Sequence, residues 1–149
     1  MPVKIVKGDL FRSQAQTLVI PVNCIGVMGA GLANEMRGRF YDAALEYHRL
    51  CKEKELRIGK PCLYKRETTP WILLFPTKGH WQTSSMLTDI ALGTAYLAQH
   101  YEEWGIESLA VPALGCGLGR LRWSEVAPIL QAAFDTFTIP VWLYAPKLK

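Results

Sequence analysis

Asn23-Cys24-Ile25-Gly26-Val27-Met28-Gly29-Ala30-Gly31 is the stretch on which the reading of this chain turns. It follows an apolar run, Thr17-Leu18-Val19-Ile20-Pro21-Val22, that reads as a buried strand, and it precedes a segment of helical period. Glycine accepts positive φ and lets another backbone or a ligand come close, and Gly26, Gly29 and Gly31 crowd into this short loop. A strand, a glycine-rich loop and a helix start together point backbone N–H groups at an anion. Asn23 stands where the strand runs into the loop, so its carboxamide can donate and accept at the edge of that cradle. A plain strand-to-helix turn with surplus glycine fits the same residues, and the loop alone does not decide between the two.

Beyond the loop, Leu32, Met36, Phe40, Ala43, Tyr47 and Leu50 form one apolar helical stripe, which Gly38 is expected to break into two helices. Before it, Val3–Val6 alternates as a first strand and leads into Gly8-Asp9-Leu10. An acid directly after a strand can accept from a purine amine or cap its own turn. Cys62–Arg66 and Trp71–Phe75 read as two strands, and Pro76-Thr77-Lys78-Gly79-His80-Trp81 as a loop at a strand's carboxyl end. A helix striped by Leu87, Ile90, Ala91, Leu97 and Tyr101 follows, capped by Ser84 or Ser85 and ended by Gly105. Ser108–Pro112 is the next strand and feeds a second glycine loop, Gly115-Cys116-Gly117-Leu118-Gly119. Ser124 is expected to cap a helix over 125–137, with Pro128 in its first turn, and Pro140–Tyr144 is a final strand. Alternating strands and helices predict an α/β fold, a mixed central sheet between helical layers.

The 149 residues suffice for one domain, 1–149, and are too few for two ordinary ones. Half are hydrophobic and a fifth charged, a globular balance, and no apolar run is long enough for a membrane span. Met1-Pro2-Val3-Lys4 lacks the apolar core of a signal peptide, so the cytoplasm is the expected compartment. Cys24, Cys51, Cys62 and Cys116 form no C-x-x-C pair and have no His at zinc spacing, which predicts reduced thiols and neither a metal nor another cofactor. The net charge of +4 suits an anionic ligand or an ordinary solvated surface equally.

Two glycine loops that each follow a strand and precede a helix can clasp a diphosphate from both sides, because ligands of open α/β sheets sit beyond the carboxyl ends of the strands. Neither loop runs into Gly-Lys-Ser or Gly-Lys-Thr, which excludes a Walker A site. A Lys in the Pro76–Trp81 run can attack a carbon if burial or a neighbouring cation lowers its pKa, or orient a substrate as a cation. His80 is placed to relay a proton, and Trp81 to stack on a nucleobase or pin its loop. Cys116, between phosphate-loop glycines, reads as packing because no His stands near it in sequence.

Taken together, Gly8-Asp9-Leu10, Val22-Asn23-Cys24, the Gly26–Gly31 loop and Ala113–Gly119 resemble the macrodomain family, which binds ADP-ribose; the resemblance covers essentially the whole chain. The G-V-M-G-A-G loop and the F-P-T-K-G-H-W run at Phe75–Trp81 are most similar to the branch that contains the terminal ADP-ribose protein glycohydrolase and the DarG-type DNA ADP-ribosyl glycohydrolases, antitoxins of the DarT/DarG pair. The resemblance implies a metal-independent hydrolase that removes ADP-ribose from thymidine in single-stranded DNA, with a DarT-like toxin as its counterpart. The alternatives within it are a hydrolase for acidic protein side chains or O-acetyl-ADP-ribose, and a non-catalytic ADP-ribose-binding module.

Roles follow by position. Lys78 would be catalytic and Asn23 would face the distal ribose. Asp9 and Leu10 would meet adenine with Tyr144. Gly26, Val27, Met28, Gly29 and Gly31 would cradle the diphosphate with Gly115, Cys116, Gly117, Leu118 and Gly119. Thr77 and His80 would line the same pocket. Two departures stand out. The protein-directed relative uses a second-loop Asp, and this chain has Gly119 at the corresponding place. Arg122 stands where the family usually has an Asp just before the Trp of that region. DarG-type proteins also carry a further C-terminal domain, so the sequence reads as a macrodomain fragment or a stand-alone relative.

Overall fold

The computed structural model describes residues 3–147. Six strands form one sheet: β1 (Val3–Val6), β2 (Thr17–Asn23), β3 (Cys62–Tyr64), β4 (Trp71–Lys78), β5 (Leu109–Val111) and β6 (Val141–Tyr144). Their order across the sheet is β1-β6-β5-β2-β4-β3. Every neighbouring pair is parallel except β3 with β4, so the sheet is mixed. Helices α1 (Gly31–Arg39) and α2 (Tyr41–Lys52) cover one face, and α3 (Leu87–His100) and α4 (Trp123–Phe134) the other.

Each face has its own core because successive strand residues point to opposite sides. Val19, Leu73, Phe75 and Val111 pack with Ile90, Leu97 and Phe134 under α3 and α4. Leu18, Ile20, Ile72 and Leu74 pack with Met36, Tyr47 and Leu50 under α1 and α2. Central strands covered on both sides need apolar residues throughout, which is why β2 reads as a continuous apolar run. Gly93 lets α3 lie directly on the sheet, since a Cβ there would run into the ring of Phe75. Among the described residues no helix is long and apolar enough to cross a membrane.

Several expected boundaries move. The loop read at 76–81 begins three residues later, because β4 continues through Pro76 and Thr77 to Lys78. Pairing passes from Val22–Pro76 to Asn23–Lys78, and this irregularity leaves Thr77 without a partner across the ladder. The helical stripe breaks at Phe40 rather than Gly38; Phe40 closes α1 with its N–H on the Met36 carbonyl (2.7 Å) and opens α2 at φ −135°. Neither serine cap forms. Met86 and Arg122 hold the cap positions of α3 and α4 without a side-chain bond. Pro128 lies in the second turn of α4, not its first, on an exposed face. Helix α3 stops at His100, and Gly105, at φ +76°, ends the turn that follows.

Candidate functional site

Parallel strands send their carboxyl ends to one edge, and most of the residues singled out in the sequence meet there. β1 delivers Asp9, β6 Tyr144, β5 the Gly115–Gly119 loop, β2 the Gly26–Gly31 loop and β4 Lys78. The β2–β4 register sets Asn23 directly beside Lys78. Cys24 then donates its N–H to the Gly79 carbonyl (3.2 Å), tying the first loop to the chain beyond β4.

Asn23 is buried and organises the first loop. Its Oδ1 accepts from the N–H groups of Ile25 (3.1 Å), Gly26 (3.1 Å) and Val27 (3.2 Å), and from the Tyr47 hydroxyl (2.9 Å). Its Nδ2 donates to the Val27 carbonyl (2.9 Å), which leaves one amide N–H for another partner. The Tyr47 hydroxyl also donates to the Asn23 carbonyl (2.8 Å). Burial pushes the Tyr47 hydroxyl well above the usual phenol range, so it stays a donor. Gly26 needs glycine for its φ of +86°; a Cβ there would make only ordinary contact, 3.5 Å from Nδ1 of His48 on α2. At Gly29 a Cβ would meet nothing within 4 Å. Val27 is exposed, while Met28 is half-buried against the α1–α2 core.

Lys78 is largely buried, 9% exposed. Its Nζ donates to the carbonyls of Trp81 (2.9 Å) and Leu118 (3.3 Å), so it bridges the loop after β4 to the second glycine loop. Burial, and after it the nearby Arg120 guanidinium, hold the ammonium below the ordinary lysine range. His80 is exposed, and its Nδ1 accepts the N–H of Gln82 (3.1 Å). Thr77 is buried at the bulge.

The second loop is closed by its own backbone. Leu121 donates to the Gly115 carbonyl (2.8 Å) and Arg120 to that of Gly117 (3.1 Å). Gly115 has φ +76°, and a Cβ there would lie 2.7 Å from Leu121 Cδ1. Gly119 has no room for a side chain: a Cβ would run into the Ser85 hydroxyl and lie 2.6 Å from the Gly115 carbonyl oxygen. Ser85 lies beneath the loop. Its N–H donates to the Gly119 carbonyl (3.0 Å), and its buried hydroxyl has no partner among the described residues. Burial pushes the Cys116 thiol up to about 11, which keeps it protonated and unreactive near neutral pH. Leu118 projects from the loop, and its Cδ1 is 3.7 Å from where a Cβ on Gly31 would stand, so the two glycine loops nearly touch.

At the other end, Asp9 Oδ1 accepts from the Phe11 N–H (3.0 Å) and caps the short turn Leu10–Arg12, while Oδ2 faces Arg39 at 3.9 Å. The Leu10 side chain is in the core. Tyr144, half-buried, pairs with Val6 in the β1–β6 ladder and so stands near Asp9. Three contributors escaped the sequence reading. Tyr47 was one apolar stripe position among several, although a buried Tyr hydroxyl must find a partner. Arg120, at φ +65°, and Ser85, under the loop, carried no signal in spacing. Among the described residues no group of three or more His, Cys, Asp or Glu could hold a metal ion.

Residues 19–130 match the Macro domain family. A Thermosipho africanus DNA ADP-ribosyl transferase–DNA ADP-ribosyl glycohydrolase fusion protein is 43% identical over 99% of this chain and 42% of its own length. The DNA ADP-ribosyl glycohydrolase of Mycobacterium tuberculosis is 39% identical over 94% of this chain and 41% of its own. The chain thus spans about two fifths of these relatives. In structure, Thermosipho africanus DarTG in complex with ADP-ribose superposes with a TM-score of 0.95 at 44% identity, covering 99% of this chain and 42% of that one. The macrodomain of Mycobacterium tuberculosis DarG gives 0.93 at 36% identity, over 97% of this chain and 98% of that one.

Proposed function

The chain belongs to the macro domain family, and from that membership we propose that it is a metal-independent DNA ADP-ribosyl glycohydrolase that removes ADP-ribose from thymidine in single-stranded DNA. Its role is that of an antitoxin to a DarT-like DNA ADP-ribosyltransferase, acting in the cytoplasm. The Thermosipho relative, whose name joins the two activities in one chain, supports the pairing.

The observation that carries the reading is the order of the candidate residues along the sheet edge. Asp9 and Tyr144 stand at the β1–β6 end, the Gly115–Gly119 loop follows at β5, the Gly26–Gly31 loop at β2, and Lys78 at β4. That is the order of ADP-ribose itself: adenine, diphosphate, distal ribose. From β6 to β4 is three strand spacings, roughly 14 Å, a span an extended dinucleotide-sized ligand can bridge.

In the reaction the C1″–N bond breaks and its electron pair leaves with the base. The anomeric carbon gains oxocarbenium character, and water supplies the new C1″–O bond and gives up a proton. Backbone N–H groups of the two loops hold the diphosphate and fix the ribose. Lys78 acts at C1″ or the hydroxyls beside it, and Asn23 holds the loop that faces it. A second-loop carboxylate of the kind the protein-directed relative uses has no room at Gly119. The chemistry therefore rests on Lys78.

A single-turnover assay tests this. A thymidine-ADP-ribosylated oligonucleotide is incubated with the protein in EDTA, with Lys78→Ala in parallel. The parent protein is expected to release ADP-ribose. The variant is expected to lose at least about a hundredfold in rate while still binding ADP-ribose in calorimetry. Binding without release by the parent would reduce the protein to an ADP-ribose-binding module. Release from a Glu-linked peptide instead would redirect it to proteins.

A further inference from the structure

We propose that Trp81 and Arg120 form a rim that grips the DNA strand beside the modified nucleotide, Trp81 by stacking on a neighbouring base and Arg120 by pairing with a backbone phosphate. This rests on the DNA-directed reading above. Trp81 is 49% exposed, an unusual position for the largest apolar side chain, so it does not pin its loop to the core. The loop is held without it. Thr83 donates to the His80 carbonyl through both its N–H (3.1 Å) and its hydroxyl (2.8 Å), and Gln82 donates to the His80 ring. The indole stacks on that ring at 5.8 Å and 25°, leaving a flat face presented from a braced turn.

Arg120, on the second glycine loop, also stands close to Lys78. The lysine Nζ is bonded to the carbonyl of Trp81 and to that of Leu118, two residues before Arg120. Trp81 and Arg120 are therefore joined through the residue that acts on the ribose. Arg120 is exposed, among the described residues it makes no ion pair, and its φ of +65° is one that a side chain rarely adopts without cost. An aromatic face and a free cation flanking one site are the means by which proteins hold single strands with little regard to sequence. Leu118, two residues before Arg120 and 61% exposed, adds apolar surface on the same loop.

The test compares ADP-ribosyl-thymidine as a free nucleoside with the same nucleoside inside an oligonucleotide of about ten residues. The parent is expected to favour the oligonucleotide in kcat/KM. Trp81→Ala should lower that preference about tenfold, the effect of one lost base stack, and Trp81→Phe should restore most of it. Arg120→Asn, which tolerates the left-handed backbone, should reduce the slope of log kcat/KM against log salt by about 0.7, one phosphate of a single strand. With the unaltered protein, an unmodified oligonucleotide should inhibit nucleoside hydrolysis, less so as salt rises. Equal kcat/KM on both substrates, or no inhibition by unmodified DNA, overturns the rim and leaves the DNA-directed reading standing. A parent that cleaves neither substrate overturns both.

Discussion

Lys78 combines two features that activate an amine: burial and a cationic neighbour. Two carbonyls accept from its Nζ, which in the neutral amine satisfies both N–H groups and leaves the lone pair free. Its folded pKa lies below the reference 10.5. The kcat/KM is therefore expected to rise with pH through that lowered value and level off above it. A fall over the same range would identify the ammonium as the working form. The stability sign is fixed by the same shift. The unfolded chain holds this proton more tightly, so stability rises with pH from the folded value up to about 10.5 and is lost as pH falls back through it; urea midpoints of the parent across that range, set against those of Lys78→Met, measure the effect. Beside it, Asn23→Ala removes the acceptor for three backbone N–H groups and one hydroxyl. The expected cost is about 3 kcal/mol in urea denaturation, with fast amide exchange at Ile25–Val27 as the local readout. Asn23 was legible as a candidate from its place where an apolar strand runs into the first glycine loop, whereas Lys78, read as a loop residue, was singled out by the macrodomain resemblance. That Tyr47 orients Asn23 was not legible, because a hydrogen bond between residues 24 positions apart leaves no local pattern.

Among the elements, the glycine loops were the most legible, and their necessity differs by position. Gly119→Asp is expected to lower stability by about 2 kcal/mol or more and to add no activity toward Glu-linked ADP-ribose. The new side chain must displace Ser85 and the Gly115 carbonyl, which shape the second loop. Unchanged melting with gained protein-directed turnover would show that the loop yields freely. Gly93→Ala is expected to cost about 1–3 kcal/mol by driving α3 off Phe75, and adding Phe75→Leu should recover part of it in a double-mutant cycle. The strand β4 shows where local rules gave way. Pro76 argues for a strand end because it lacks an N–H. The irregularity between Val22 and Asn23 absorbs it, and the strand carries Lys78 into line with Asn23. The missing serine cap of α3 goes with the second loop: Ser85 is held under it by its N–H on the Gly119 carbonyl, and Met86 takes the cap position.

At the scale of the whole molecule, two apolar cores lie on opposite faces of one sheet, and the candidate site is the edge where loops from both faces meet. The first loop leads into α1 and leans on α2. The second leads into α4 and rests on Ser85 just before α3. Alternation of strand and helix made this layout readable in the sequence; the close approach of Leu118 to Gly31 was not, since only the folded edge brings the loops together. A ligand clasped by both loops would join the two helical layers across the sheet edge. ADP-ribose at a hundred times its Kd should then add about 2.7 kcal/mol to stability, which for a chain of this size raises Tm by roughly 5–10 °C. The rise should be accompanied by slower amide exchange in both loops at once. Protection confined to the first loop would mean that the diphosphate sits on α1 alone, and the clasp would be wrong. Asn23→Ala should cut the shift, since it loosens one jaw. Lys78→Ala should keep it if, as proposed, its role is in the reaction and not in holding the diphosphate.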